Sequence, residues 1–485
     1  MIDFKNFSKK ESIDYIWLYM PTYIFLFTWV KLTISLPLVC LLTAALYHAS
    51  QSQTKNSKII CPKYSKKVML KVFIFPILLL LFWGVLSGLG GYTFQSGDWS
   101  KHNILLKSLI EQEWPVTIQY QGKKGILTYY IGQYLLPASL GKLFGFTFAQ
   151  NIILVWSVIG LFLTVLNISR LSWGGYSAYS LTIIILGIIF FSTFIGPFTA
   201  LYRLFNPKDA GDAIYWMSQS VWIQYSSNIT NLKWVFPQFV PTALQISLLL
   251  KHRENYSLWG IICIPALLNS AFCFFGMSII LVLVLIADFY TDKNKKLMQQ
   301  LFDFKNLVSM ILLIILGSYI FAMILQDKTA EFKMGLSLID YRNKVLLLLF
   351  FELSWLLWLL PLCKRKNSML IASSIYLLIL PFFSLGMFND LCMRSSIPAL
   401  CIICFNILLR IFSTKKCTLL LAFCLLISSY TSTVDLIDGI KKSGLHAGNF
   451  NAPYETFEDF FNDAPFTVYQ YFCYDQKKFL LPVLK

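Results

Sequence analysis

Long apolar runs, each wide enough to cross a lipid bilayer, recur from one end of this chain to the other. That pattern constrains the fold more than any motif does. Hydrocarbon offers no water to backbone N–H and C=O groups, so only α-helices and closed β-barrels can cross it. The runs are continuous, not alternating, which excludes a barrel. Composition agrees. Of 485 residues, 57% are hydrophobic and only 13% charged, and the mean hydropathy is +0.63. So few charges cannot cover the surface of a soluble domain. The expected fold class is an all-α polytopic membrane protein.

The formal charge of +17 does not point to nucleic acid. Lys and Arg gather in short clusters between apolar runs, as in Ala49–Lys67 and Lys364-Arg365-Lys366, which suits cytoplasmic loops facing anionic membrane lipids. The cysteines sit mostly inside apolar runs, for example Cys401, Cys404 and Cys424, and read as small buried hydrophobes. Cys392 and Cys473 fall outside the membrane in this topology, where a disulfide between them is open but unsupported. Ile13–Trp29 carries no small-residue cleavage site, so the first span reads as a retained anchor. A Lys/Ile/Phe/Asn bias points to an AT-rich bacterial source, and hence to the bacterial cytoplasmic membrane.

Spans are expected near 14–30, 32–48, 68–87, 150–169, 175–197, 236–250, 307–326, 345–362, 368–387, 396–411 and 417–433. Leu258–Tyr290 is too long for one helix and contains Pro265 and Gly276, so it reads as a hairpin. Ile126–Phe146 carries Gln133, Pro137 and Lys142 and is expected to lie in the interface or re-enter, not to cross. The sum is about thirteen crossings, N-terminus inside and C-terminus outside. The expected organisation is a membrane domain over 1–433, with outer loops at 88–149 and 198–235, and an extracytoplasmic tail over 434–485 that carries Asp459, Asp463 and Asp475. No internal repeat stands out, which argues against an inverted-repeat transporter.

The first outer loop contains Gly97–Pro115, G-D-W-S-K-H-N-I-L-L-K-S-L-I-E-Q-E-W-P. At helical spacing Trp99, Leu105, Leu106, Leu109, Ile110 and Trp114 share one side; Lys101, Lys107, Ser108, Glu111 and Gln112 share the other. Asp98 and His102, four apart, stand at the border. Asp98 is either a helix N-cap or a functional carboxylate, and His102 either a satisfied interfacial histidine or part of a site. The second outer loop contributes Arg203, Lys208, Asp209, Asp212, Asn228, Lys233 and Gln238. The third outer segment, Asn389–Pro398, places Asp390 and Arg394 four apart just before a span. Arg394 suits a lipid phosphate at headgroup level; the alternative is an Asp390–Arg394 ion pair that anchors the helix end. Glu352 falls inside an expected span, as a functional acid or as a hydrogen-bonded packing residue. Asn228-Ile229-Thr230 matches a glycosylation sequon of a kind frequent by chance.

A first outer loop that opens with an Asp on an amphipathic juxtamembrane helix resembles the GT-C membrane glycosyltransferases. The residues that carry the resemblance are Gly97-Asp98-Trp99, His102, Leu109 and Trp114-Pro115, followed by Leu127-Thr128-Tyr129-Tyr130 and Gly141-Lys142-Leu143-Phe144-Gly145. It is specific over about 68–170 and continues to about 433 as a pattern of spans and loops. The resemblance implies a polyprenyl-phosphate sugar as donor and a cell-surface glycan or glycolipid as acceptor. It also implies transfer on the outer face with inversion, and a role for Asp98 in activating the acceptor hydroxyl. Lys101, His102 and Arg394 are then candidates for the charge that meets the leaving phosphate, with Asp390, Lys233 and Arg203 beside them. Many members carry a paired acidic motif in loop one. Here Asp98 has no adjacent acid, and metal-free transfer without a cofactor is expected over a divalent-metal reaction. The alternatives are a surface-polysaccharide polymerase or ligase that uses a lipid-linked glycan, and a lipid or solute transporter or flippase.

Overall fold

The computed structural model describes residues 11–51, 66–95, 97–173, 175–205, 225–290, 294–326, 332–334, 352, 354–359, 367–385, 389–411, 415–445, 455–474 and 484–485. Its main helices are α1 (Ser12–Trp29), α2 (Leu32–Gln51), α3 (Lys66–Leu86), α4 (Asp98–Glu111), α5 (Gly132–Phe144), α6 (Phe146–Trp173) and α7 (Ala178–Phe190). They are followed by α8 (Ile195–Phe205), α9 (Asn228–Lys251), α10 (Ala271–Phe289), α11 (Phe304–Gln326), α12 (Ser368–Ile379), α13 (Ile397–Ile411) and α14 (Lys415–Leu445). Shorter helices are called by their residues.

The molecule is mostly helical. Among the described residues, six helices are long and apolar enough to cross a membrane. Several expected spans are shorter helices: α7, Tyr256–Leu268 and Ser368–Phe382 each fall below that length. The expected span 345–362 lies largely outside the described residues. The structure therefore supports a polytopic helical membrane protein without reproducing thirteen full-length spans.

Ile126–Phe146 does not form a crossing helix. Its first residues belong to a hairpin, and its helix, α5, has 13 residues. At 1.5 Å per residue that is about 20 Å, too short for a hydrocarbon core of roughly 30 Å. α5 instead packs between α4, α6 and α1, with Gln133 and Pro137 buried. Lys142 donates to the carbonyls of Ile110 (3.2 Å) and Gln112 (2.5 Å), satisfying the C-terminal end of α4.

Leu258–Tyr290 is a hairpin, as its length and Pro265 predicted. The break, however, falls at Asn269–Ser270, not at Gly276. The hydroxyl of Tyr256 donates to Asp288 Oδ2 (2.9 Å), so the two arms begin and end together. Gly276 lies inside α10 for another reason: a Cβ there would stand 2.2 Å from the Ser395 carbonyl oxygen.

Three further expectations change. α9 begins at Asn228, well inside the expected second outer loop. Asn228 and Thr230 are consequently buried, and the sequon is closed to modification. α14 runs on to Leu445, so Asp435 is a buried helical residue, not the start of a tail. Finally, the fold is not purely helical. β1 (Thr117–Tyr120), β2 (Lys123–Leu127) and β5 (Phe472–Cys473) form an antiparallel sheet in the order β1-β2-β5; β3 (Phe332–Met334) pairs with β4 (Phe383–Leu385). Gln121 and Gly122 take positive φ between β1 and β2, the backbone a tight two-residue hairpin turn requires. Cys473 is buried in β5 and Cys392 is buried before α13, and no disulfide joins them.

Candidate active site

α4 is held against the bundle by its apolar face. Trp99, Ile104, Leu105, Leu106 and Leu109 are buried, each worth on the order of 2 kcal/mol. Ser108, expected on the polar side, is buried with them. The helix is anchored on a defect in α9. Pro237 has no N–H to give to the carbonyl four residues earlier, that of Lys233, and Val235 leaves helical geometry (φ −135°, ψ 38°). Trp99 Nε1 donates to the Lys233 carbonyl (2.9 Å), and His102 Nε2 meets the Trp234 carbonyl (3.0 Å). The Trp99 ring stacks on Phe236 at 5.2 Å. The kink thus presents acceptors that α4 fills.

This arrangement assigns the protonation of His102. A carbonyl only accepts, so Nε2 carries the proton. Nδ1 is then the acceptor for the Tyr134 hydroxyl at 2.6 Å. Burial pushes the imidazole down from 6.5 to about 4, against the pull of Asp98. His102 is a neutral residue with both nitrogens occupied. It does not supply the positive charge, or the free base, that its position in the sequence suggested.

Asp98 is not an N-cap. The cap position is Gly97, without a side-chain cap bond, and Asp98 is the first residue of α4. Its Oδ1 accepts from Lys101 Nζ at 3.0 Å, and both side chains are partly exposed. Burial opposes ionisation, but Lys101 first, with Arg394 among the other charges, outweighs it and holds the carboxyl below the usual carboxylate range. Asp98 is therefore an ionised, reachable carboxylate at neutral pH.

Arg394 belongs to the short helix Asp390–Ser395, which Asn389 caps from left-handed backbone through its side chain to Cys392 N. Its carbonyl accepts from Cys273 Sγ at 3.3 Å, tying it to α10, where Gly276 permits the close approach of Ser395. Arg394 Nε lies 3.0 Å from Asp390 Oδ1. The Asp390 and Asp98 carboxylates act on Arg394, and the Tyr129 and Tyr130 phenols lie near it. Asp98, Lys101, His102, Asp390 and Arg394 are thus brought together at one end of the bundle.

Other expected members stand elsewhere. Lys233 gives its carbonyl to Trp99, but its ammonium faces α14, 4.0 Å from where a Gly439 Cβ would be and beside Asp438. It does not join a donor-phosphate set with Arg394. Arg203 lies at the end of α8, its side chain outside the described residues, as are Lys208, Asp209 and Asp212. Glu352 is buried next to Thr193 and Tyr225, its Oε2 without a hydrogen-bond partner, apart from the Asp98 cluster.

In the sequence Tyr129 and Tyr130 enter only as part of the resemblance, without a role, and neither Tyr134 nor Tyr471 stands out. Tyr129 and Tyr130 follow β2, Tyr134 stands on α5, and Tyr471 comes from the C-terminal segment. Tyr471 stacks on Tyr129 at 4.4 Å, its carbonyl accepts from Thr128 N at 2.8 Å, and Asp98 and Arg394 both act on it. The only available signal was the Tyr129-Tyr130 pair beside an interfacial helix, since nothing local connects Tyr471 to Asp98. Chemically, the cluster offers an ionised carboxylate, an ammonium and a guanidinium beside the phenols of Tyr129, Tyr130 and Tyr471. Comparison with protein-family models, characterised proteins and solved structures finds no match to this chain.

Proposed function

We propose that this protein is a GT-C-like membrane glycosyltransferase. It moves a sugar from a polyprenyl-phosphate donor to a cell-surface glycan or glycolipid acceptor, on the outer face of the bacterial cytoplasmic membrane. The observation that carries the reading is the convergence of Asp98–Lys101 with Asp390–Arg394 from distant parts of the chain. In this reading the acceptor hydroxyl gives its proton to Asp98 as its oxygen attacks the anomeric carbon. The bond from that carbon to the phosphate oxygen breaks, and the electron pair stays on the phosphate, opposite Arg394. Attack from the face opposite the leaving group inverts the sugar. Lys101 keeps Asp98 ionised and oriented. No cofactor is invoked: the fixed positive charge is that of Lys101 and Arg394. The proposed topology has an odd number of crossings, N-terminus inside and C-terminus outside.

Transport is a second reading, favoured by one observation. The chain is non-helical and buried at 191–194 and 225–227, next to the buried acid Glu352, and broken helices with buried polar groups occur at transporter sites. Surface glycans of a deletion strain, complemented with the wild type or Asp98→Asn, separate the two. The transferase reading expects one sugar branch to vanish in the deletion, return with the wild type and stay absent with Asp98→Asn at equal protein level. Full restoration by Asp98→Asn would bring transport forward.

A further inference from the structure

Lys233 and Asp435 are buried charges, 6% and 7% exposed, that the Asp98 cluster does not use. They lie along the seam between α9 and α14. The Thr230 hydroxyl donates to Asp435 Oδ2 at 2.8 Å, and Lys233 Nζ lies 4.0 Å from where a Gly439 Cβ would be. Thr230 precedes Lys233 by three residues on α9, and Asp435 precedes Gly439 by four on α14. Residues so spaced are neighbours on one helix face, about 5–6 Å apart at Cβ. The carboxylate and the ammonium therefore stand one helical turn apart in the same seam, and they do not pair. Among the described residues, the Asp435 carboxylate is bonded by Thr230 alone, and Lys233 Nζ has neither a hydrogen bond nor an ion pair. The neighbouring carboxylate, Asp438, is taken by Lys442 at 2.9 Å. The hydroxyls of Thr431 and Ser432, just before Asp435 on α14, are buried without a partner as well.

A buried charge without a counter-charge is costly, and here two of opposite sign are held apart. A ligand that answers both must bring an anion to Lys233 and a cationic N–H donor to Asp435. An ethanolamine phosphodiester, with an ethylene link between its phosphate oxygen and its amine, spans that gap; an α-amino acid carries both charges on one carbon. Such a group is at hand in a membrane. The opposite face of α14 exposes Phe423, Leu426, Ile427, Tyr430, Ile437 and Ile440, an apolar surface suited to lipid tails. We propose that Lys233 and Asp435 hold the head group of an ethanolamine phospholipid, its phosphate against Lys233 and its ammonium against Asp435. The tails run along the apolar face of α14. Because the Lys233 carbonyl accepts from Trp99, the residue after Asp98, this head group adjoins the proposed reaction without taking part in it.

The test titrates phosphatidylethanolamine and phosphatidylglycerol onto the full chain in detergent, with bound lipid counted by native mass spectrometry. Phosphatidylglycerol offers the phosphate without the amine. The ethanolamine lipid should bind about tenfold tighter, the usual worth of one hydrogen bond to a charged group. Asp435→Asn keeps an acceptor for Thr230. It should therefore unfold at the wild-type temperature, bind phosphatidylglycerol as before and lose the preference. Lys233→Gln should weaken both lipids by about tenfold. A purely structural role would lower the unfolding temperature without changing the ratio of the two affinities. Equal binding of the two lipids by the wild type overturns the inference. So does a preference that survives Asp435→Asn, or unchanged binding by Lys233→Gln. Glycerophosphoethanolamine that bound as tightly as the lipid would assign the site to a soluble ligand and overturn the lipid.

Discussion

His102 and Asp98 stand four residues apart, and their surroundings drive them in opposite directions. Asp98 borders Lys101 at 3.0 Å and remains charged; His102 is walled in by Trp99, Phe236 and Tyr134 and remains neutral. The sign of the pH effect follows. A histidine held from 6.5 down to about 4 stays neutral while the unfolded chain takes up its proton, so stability is intact above 6.5 and falls as pH drops towards 4. Thermal unfolding followed from pH 7 to pH 5 should show a loss that is smaller in His102→Gln. An equal loss in both would mean that the imidazole is not buried neutral. Asp98→Asn should lower transfer by about a hundredfold or more, the usual share of a general base, with little change in unfolding temperature. A carboxylate before an apolar helical run, and an arginine four residues after an aspartate, were legible because each pattern is local. The tyrosines beside them were not, because Tyr471 reaches Tyr129 only through the β2–β5 pairing.

Elements meet here through residues that lack something. Pro237 lacks an N–H, and the carbonyl it leaves open receives Trp99. Gly276 lacks a Cβ, and the space it leaves admits Ser395. Gly276→Val should therefore push Asp390–Ser395 off α10, lowering stability by about 1–3 kcal/mol, the range for overpacking, and reducing lipid-phosphate binding with it. Retained stability and binding would mean that Arg394 is placed from its own side of the contact. In the sequence, Gly276 read as a hairpin break, since a glycine that bends a chain and one that admits a neighbour look alike. Helix positions followed from hydropathy to within a few residues at α1, α11 and α13. The β1–β2 hairpin did not: Gln119–Lys124 registers as a polar loop unless the positive-φ demand at Gln121-Gly122 is recognised.

On the scale of the whole molecule, α1 acts as a ruler. At its start, Glu11 pairs with Lys251 (2.6 Å) and His252 (2.5 Å) at the end of α9. At its finish, the Trp29 carbonyl accepts from the backbone N–H of Lys485, and Val30 bridges to Leu484. Its 18 residues span about 27 Å, close to the thickness of a hydrocarbon core. The two ends of the described chain therefore lie at opposite ends of the bundle. Trp29 also packs on Trp114 at 5.1 Å, which places the C-terminus at the Asp98 end. Outer-face chemistry requires that this end be the outer one. Gln121, at the exposed hairpin tip, marks it, and the exposed Glu254 marks the other. In intact cells a membrane-impermeant maleimide should label Gln121→Cys above the wild-type background. It should label Glu254→Cys only after permeabilisation. The reverse pattern would put Asp98 on the cytoplasmic side, where a nucleotide sugar competes with a lipid-linked one as donor, and the proposed reaction would lose its reason. Labelling of both from outside would contradict the end-to-end separation that α1 sets.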